Sequence, residues 1–391
     1  MDAEDFSTSA LTERLEKAPS PVGKTSGEVT LRERFRRAMF YQEVAPLPNF
    51  EFGYWEQTLE NWRGEGLPDW VVDEATAYDY FGIENWAVLP AHAGLRGIFE
   101  PVTLEEDDER KVYRDDIGVV AEINKKGDKS IPHFLEFPVK DRASWEPFKA
   151  GLDADSPERY EKLDEAIDRL AGSEVPVGVS GGSMAGIPRN ILGFERMAVL
   201  PLEDPDLFEE IVDTFGRCAY AVLERVLPRF QVDFCMGWED ICFNQGPVIS
   251  PDVFDRVVGP WYRRIADLLV RHGCCVYTTD TDGNILPIVD TFLNNGLNTM
   301  FPVEVHAGSD PCVLREKYGK RIRLWGGVDK MVLFDRDAIR KELMRLKPYV
   351  LEGGFLPGVD HRVPADVPLD NYKVYLDTKR ELFGVGGEPR Y

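Results

Sequence analysis

From about residue 175 to its end the chain alternates short β-rich runs with helix-period segments, and no other feature restricts the possible folds as strongly. The β-rich runs fall at 175–179, 232–237, 274–278, 297–302, 321–325 and 353–356. The segment 251–272 places Val253, Phe254, Val257, Val258, Trp261, Ile265, Leu268 and Leu269 on one broad helical face, with a kink expected at Pro260. The segment 335–349 does the same with Ile339, Leu343 and Leu346, and 369–382 with Tyr372, Tyr375 and Leu376. Repeated βα units require a parallel sheet covered by helices. One more strand near Phe50 and another near Ala87 bring the total to about eight, which predicts an α/β fold of the (β/α)8 TIM-barrel type. A doubly wound open sheet is the alternative, but no GxGxxG follows the first strand.

The remainder of the chain is less regular. Residues 1–30 are polar and aperiodic and predict a flexible N-terminal arm, leaving 31–391 as a single barrel domain. A helix is expected from Leu31 through Phe35, Met39 and Phe40, ending at Pro46 and Pro48; aromatic amphipathic pieces follow at 55–62 and 70–81. Partial alternation around the turn signal Lys125-Lys126-Gly127-Asp128 predicts a β-hairpin inserted at about 111–138.

Lysine and arginine total 46 against 69 acidic residues, a net charge of −23, so phosphate backbones and anionic lipid are repelled; neither nucleic acid nor membrane is expected as a partner. With no apolar run of about 18 residues and no secretory leader in the first thirty, a cytoplasmic protein is expected. The 6 cysteines show no CxxC spacing, and neither disulfides nor a catalytic thiol are expected.

In a barrel of this kind reactive groups sit just after each strand. Here the successive run ends carry Ser180-Gly-Gly-Ser183, Trp238-Glu239-Asp240, Asp280-Thr-Asp282-Gly-Asn284, Glu304-Val-His306, Asp329-Lys330 and Asp360-His361. Loops are polar in any case, and Asp282-Gly283 reads equally as turn chemistry or as a site group. Asp280 and Asp282 share one side of an extended chain, and His361 is the histidine best placed for ligation or acid–base work. His306 reads more readily as a core histidine, and Lys330 as either an ion-pair partner or a substrate contact. Converging carboxylates repel one another unless their pKa values rise or a cation intervenes. Glu239, Asp280, Glu304 and His361 offer oxygen and imidazole donors suited to zinc, with open positions for substrate. The alternative is metal-free general acid–base work, or binding of a cationic group.

At these residues the sequence resembles the uroporphyrinogen decarboxylase superfamily, in its divergent branch near the corrinoid-dependent methyltransferases. The resemblance is carried by 238–254, Asp280-Thr-Asp-Gly-Asn-Ile285, Gly326-Gly-Val-Asp-Lys330 and Gly353-Gly-Phe-Leu-Pro-Gly-Val-Asp-His-Arg-Val-Pro364, with Phe134-Leu-Glu-Phe-Pro-Val-Lys140 in support; it runs from about 31 to 383. It implies a barrel enzyme with its site at the strand C-termini, and either porphyrinogen decarboxylation or methyl transfer involving a corrinoid carried on a partner protein. The chain departs from both patterns. In place of the decarboxylases' Arg-Gln-Ala-Gly-Arg-type segment it has Asn49-Phe-Glu-Phe-Gly-Tyr-Trp55, and an acidic mouth disfavours a polycarboxylate unless Arg96, Arg189 and Arg196 compensate. In place of the thiol methyltransferases' His-x-Cys pair and late Cys it has Asp280-Thr281-Asp282 and Asp360-His361. The expected activity is therefore a metal-assisted methyltransferase moving a methyl group from a small donor to a corrinoid protein, with decarboxylation as the alternative and a non-catalytic ligand-binding barrel as a third. Under that reading Asp280, Glu239 and His361 bind or replace zinc, and Asp282 and Glu304 orient donor or water. Asn284, Tyr277, Arg189, Asp240 and Lys330 are then expected around the substrate.

Overall fold

The computed structural model describes residues 29–126 and 132–391, so the expected arm lies almost wholly outside the described residues, as does the Gly127-Asp128 half of the expected turn. Strand β1 (Ala87–Val88) is followed by β2 (Val102–Glu106), β3 (Arg110–Arg114), β4 (Val120–Asn124) and β5 (His133–Glu136), which form an antiparallel sheet in the order β2-β3-β4-β5. The segment expected as a hairpin at about 111–138 instead holds three strands of this four-stranded sheet, β3, β4 and the edge strand β5. The sheet's first strand escapes the sequence because every residue of β2 is exposed, so it carries no inside–outside alternation to read.

The regular half supplies β6 (Val177–Gly182), β7 (Phe234–Trp238), the short pair β8 (Cys242–Phe243) and β9 (Gly246–Pro247), then β10 (Tyr277–Asp280), β11 (Thr299–Phe301), β12 (Arg323–Val328) and β13 (Phe355–Val359). One parallel sheet runs β1-β6-β7-β10-β11-β12-β13, with helices between successive strands. Most of these strands begin about two residues later than the apolar runs suggest, because apolar residues already pack before the ladder of hydrogen bonds starts. Several also extend through glycines that β propensity would exclude. At Gly326 (φ +104°) a Cβ would lie 2.1 Å from the Pro302 carbonyl oxygen, and at Gly178 it would lie 2.4 Å from the Phe234 ring.

The eighth strand expected near Phe50 is absent among the described residues. Residues 47–54 make only isolated bridges, Leu47 to Val385 and Tyr54 to Val363. Pro46 and Pro48 remove ladder donors here, and side chains take over the tethering. The buried Glu51 carboxylate accepts from the Val359 amide (2.9 Å), the Tyr375 hydroxyl (2.8 Å) and the Lys379 ammonium (2.6 Å). On the other flank Glu84 N–H donates to Asn49 O at 2.9 Å. The segment thus lies between β13 and the approach to β1 without completing a ladder between them, and the architecture is TIM-barrel-like.

An aromatic cluster fills the sheet's inner side. Trp325 of β12 contacts Phe35 on the first helix (Leu31–Met39), Phe50, Trp86, Phe234 and Phe301, at ring-centroid distances of 4.9–5.8 Å. Each such ring removes a large apolar area from water, worth about 1.5–3 kcal/mol before entropic costs. The helix expected at 251–272 is broken into Pro251–Val253, a π-helical turn Phe254–Val258 and Gly259–Arg271, so the irregularity falls just ahead of Pro260. Among the described residues no helix is long and apolar enough to cross a membrane, and all 6 cysteines are free and buried.

Candidate active site at the strand ends

Two carboxyl groups follow the neighbouring strands β7 and β10, and their surroundings differ. Glu239 comes directly after β7 and is fully buried. Its carboxylate accepts from the amides of Met184 (2.5 Å), Ala185 (3.0 Å) and Gly186 (2.6 Å) and from the Tyr262 hydroxyl (2.5 Å). Small residues make this cradle possible: a Cβ on Gly186 would stand 2.7 Å from the Trp238 carbonyl oxygen. Burial pushes the Glu239 carboxyl up to about 7, against the opposing pull of the phenol and the amides.

Asp280 is the last residue of β10, in register with Trp238 of β7 and Phe301 of β11. It is half-buried after three fully buried residues, and no hydrogen bond reaches its carboxyl group from the described residues. Burial, reinforced by the negative charges of Asp282 and Asp240 and only partly opposed by Arg362, holds its pKa well above the usual carboxylate range.

The groups around Asp280 form a connected set. The Asp282 amide donates to Asp240 Oδ1 at 3.2 Å, one Asp282 carboxylate oxygen lies 3.5 Å from His361 Nε2, and the other is buried without a partner. Arg189 pairs with Asp240 at 3.0 Å and lies over the rings of Trp238 and Phe243. His361 packs its ring against Phe52 (5.2 Å) and Trp55 (5.6 Å). Arg362, over the same two rings, donates to Tyr54 O and to Glu74. On the adjoining strand ends Glu304 accepts from the Gly283 amide (2.9 Å) and Lys330 Nζ (2.5 Å). Buried Asp360 accepts from the amides of Val305 and Lys330, and burial pushes it up to about 6.

The structure thus brings together Asp240, Asp280, Asp282, His361 and Arg189, with the Glu304–Lys330 pair alongside. It does not place Glu239 with them. Trp238 is in register with Asp280, so Glu239, one residue on, turns to the opposite side, where Tyr262 from the covering helix meets it. Tyr277 is three positions before Asp280 and likewise faces away, its ring 5.7 Å from that of Tyr262 and its hydroxyl buried without a partner. Asn284 caps its own loop, accepting from the Leu286 amide at 3.1 Å. His306 is exposed rather than in the core. Among the described residues no group of three or more His, Cys, Asp or Glu side chains is disposed to hold a metal ion. With Glu239 enclosed by its four donors, the zinc set Glu239, Asp280 and His361 does not fit this arrangement. Sequence reading passed over the Met184–Gly186 amides, Tyr262, Phe52 and Arg362; only the small-residue run Gly181-Gly-Ser-Met-Ala-Gly186 signalled the cradle.

Known proteins agree with this architecture. A methyltransferase from Methanosarcina mazei is similar in structure, with a TM-score of 0.56 and 16% sequence identity, over 91% of this chain and 100% of its own. No curated protein matches the chain. The family described as uroporphyrinogen decarboxylase (URO-D) matches residues 116–382, a span that includes β6 to β13 and the acidic strand ends, and the chain belongs to that family.

Proposed function

We propose that this protein is a methyltransferase that takes a methyl group from a small donor, with Asp280 as the proton donor to the departing heteroatom. The observation that carries the reading is the Asp280 carboxyl: half-buried, without a hydrogen bond and facing like charges, it holds its proton far above the usual carboxylate range. A neutral carboxylic acid beside an aromatic wall is suited to protonating a leaving group. As the methyl–heteroatom bond breaks, the bonding electrons stay with the heteroatom, which takes the Asp280 proton; the carboxylate is then reprotonated from water. A corrinoid on a separate protein, the acceptor in this reading, supplies a nucleophilic metal centre. Phe52, Trp55 and His361 wall the donor in, and Asp282 with Asp240 keeps Asp280 protonated.

The cations near the mouth support methyl transfer over polycarboxylate decarboxylation. Arg96 lies 3.4 Å from Glu158, Arg189 3.0 Å from Asp240, Arg362 2.9 Å from Glu74 and Lys330 2.5 Å from Glu304, while Arg196 pairs with Glu203. A substrate rich in carboxylates would have to displace these partners. The test is methyl transfer from methoxyarenes, methylamines and thioethers to cob(I)alamin or a corrinoid protein, followed by methylcobalamin absorbance. Transfer that is lost in Asp280→Asn is the expected result; decarboxylation of a porphyrinogen without any methyl transfer would overturn the reading.

A further inference from the structure

Asp280 is flanked on its own side of the sheet by two aromatic residues, and a guanidinium stands over each flank. Trp238 and Phe301 are its register partners on β7 and β11, so their side chains leave the sheet on the same side as its carboxyl. Arg189 lies over the Trp238 ring, 5.5 Å from its centroid. On the other flank Phe52 packs edge-on against Phe301 at 4.7 Å, and Arg362 lies over Phe52 at 5.9 Å and over Trp55 at 5.8 Å. Arg362 is near enough for its charge to act on the Asp280 carboxyl.

Both guanidinium groups are held in place. Arg189 donates to Asp240 and to Asn190 Oδ1, each at 3.0 Å, and Arg362 donates to Tyr54 O (2.7 Å) and to Glu74 (2.9 Å). Glu74 can reach this position because residue 53 is glycine: at φ +104° a Cβ there would stand 2.1 Å from Glu74 Oε2. An aromatic face carries negative potential and attracts a cation. Here that attraction is already taken by the protein's own arginines. An ammonium donor would therefore meet two fixed positive charges. It would find Asp240 and Glu74 engaged, Asp280 protonated and Asp282 with His361 3.5 Å away.

We propose that Arg189 and Arg362 set the charge selectivity of this site, admitting uncharged methyl ethers and thioethers and turning away ammonium donors. This rests on the methyl-transfer reading and narrows its donor. The Asp280 proton is needed only by such donors. When the carbon–oxygen or carbon–sulfur bond breaks, the methyl group passes to the acceptor, and the electron pair stays on oxygen or sulfur, which takes the proton. An ammonium departs as a neutral amine and needs none. Isothermal titration calorimetry with methoxybenzene and phenyltrimethylammonium, which share a phenyl body and differ in charge, tests the proposal. The ratio of the two affinities is read, because loss of folding lowers both together. Wild type should favour methoxybenzene by about tenfold or more, and Arg189→Gln and Arg362→Gln should each shrink that ratio about fivefold. Arg189→Lys and Arg362→Lys, which keep the charge, should hold it within about twofold. Equal or tighter binding of the cation by wild type, a ratio unchanged in either glutamine variant, lysine variants that behave like the glutamine ones, or binding of neither compound up to its solubility overturns the proposal. If the ratios hold and methoxybenzene yields no methylcobalamin, the methyl-transfer reading fails and the charge selection stands.

Discussion

Glu239 and Asp280 stand at the ends of neighbouring strands, and both carboxyls are pushed upward by burial, yet their hydrogen bonding is opposite. Glu239 has every lone pair engaged, by three amides and a phenol, and it ties the β6 turn to β7 and to the covering helix. Asp280 has none engaged and faces like charges. A raised pKa therefore does not by itself mark a reactive group. What separates structural from chemical use is whether the hydrogen-bonding capacity is already filled.

The largest expected effect falls on Asp280. Asp280→Asn removes the proton donor and should lower kcat about 10²- to 10⁴-fold in single-turnover methyl transfer, with the melting temperature unchanged or higher, since one of three repelling carboxyls is gone. In the wild type the rate should fall as pH rises through the raised Asp280 pKa, and in the variant that fall should vanish. Glu239→Ala comes next, costing about 3 kcal/mol of stability in urea unfolding, because buried amides and the Tyr262 hydroxyl lose their acceptor. Full stability with collapsed turnover in that variant would reverse the comparison.

A pH effect of similar or smaller size follows from the same carboxyl. Its folded-state pKa of about 7 stands above the ordinary 4.5, so the folded protein binds the proton more tightly between those values. Stability from this group is complete below about pH 4.5, declines as pH rises to about 7 and then levels, for a total of at most about 3 kcal/mol. Asp360, pushed up to about 6, contributes with the same sign. Comparing denaturation across this range in wild type and Glu239→Gln isolates the Glu239 share. Tyr262→Phe, which removes one donor to Glu239, should cost about 1 kcal/mol and leave turnover within about twofold.

The repeating half of the fold was readable because buried parallel strands are continuous apolar runs and their covering helices keep a 3.6-residue period. Helices expected at 335–349 and 369–382 appear as Arg336–Leu351 and Leu369–Phe383. The segment near Phe50 was misread because Leu47, Phe50 and Tyr54 are apolar and buried as strand residues would be, while the segment is tied through the Glu51 side chain to groups more than 300 residues away. At the site, the acidic residues could be listed from strand ends, but the side of the sheet that each one faces depends on where the strand ladder stops. That one-residue question decides Glu239 against Asp280, and Tyr277 with it. The Met184–Gly186 cradle is made of backbone amides, which only the small-residue run at 181–186 signals.

The tether between Glu51 and Lys379 bears on the order of assembly. The side chain near the start of the fold finds its buried counter-charge 328 positions later, on the last helix. During synthesis Glu51 and its aromatic neighbours must therefore wait, carboxylate still hydrated, until Lys379 has emerged. Truncation within Leu369–Phe383 would strand that charge in an apolar seam, so this helix acts as a latch on a segment synthesised 328 positions earlier rather than as a dispensable tail.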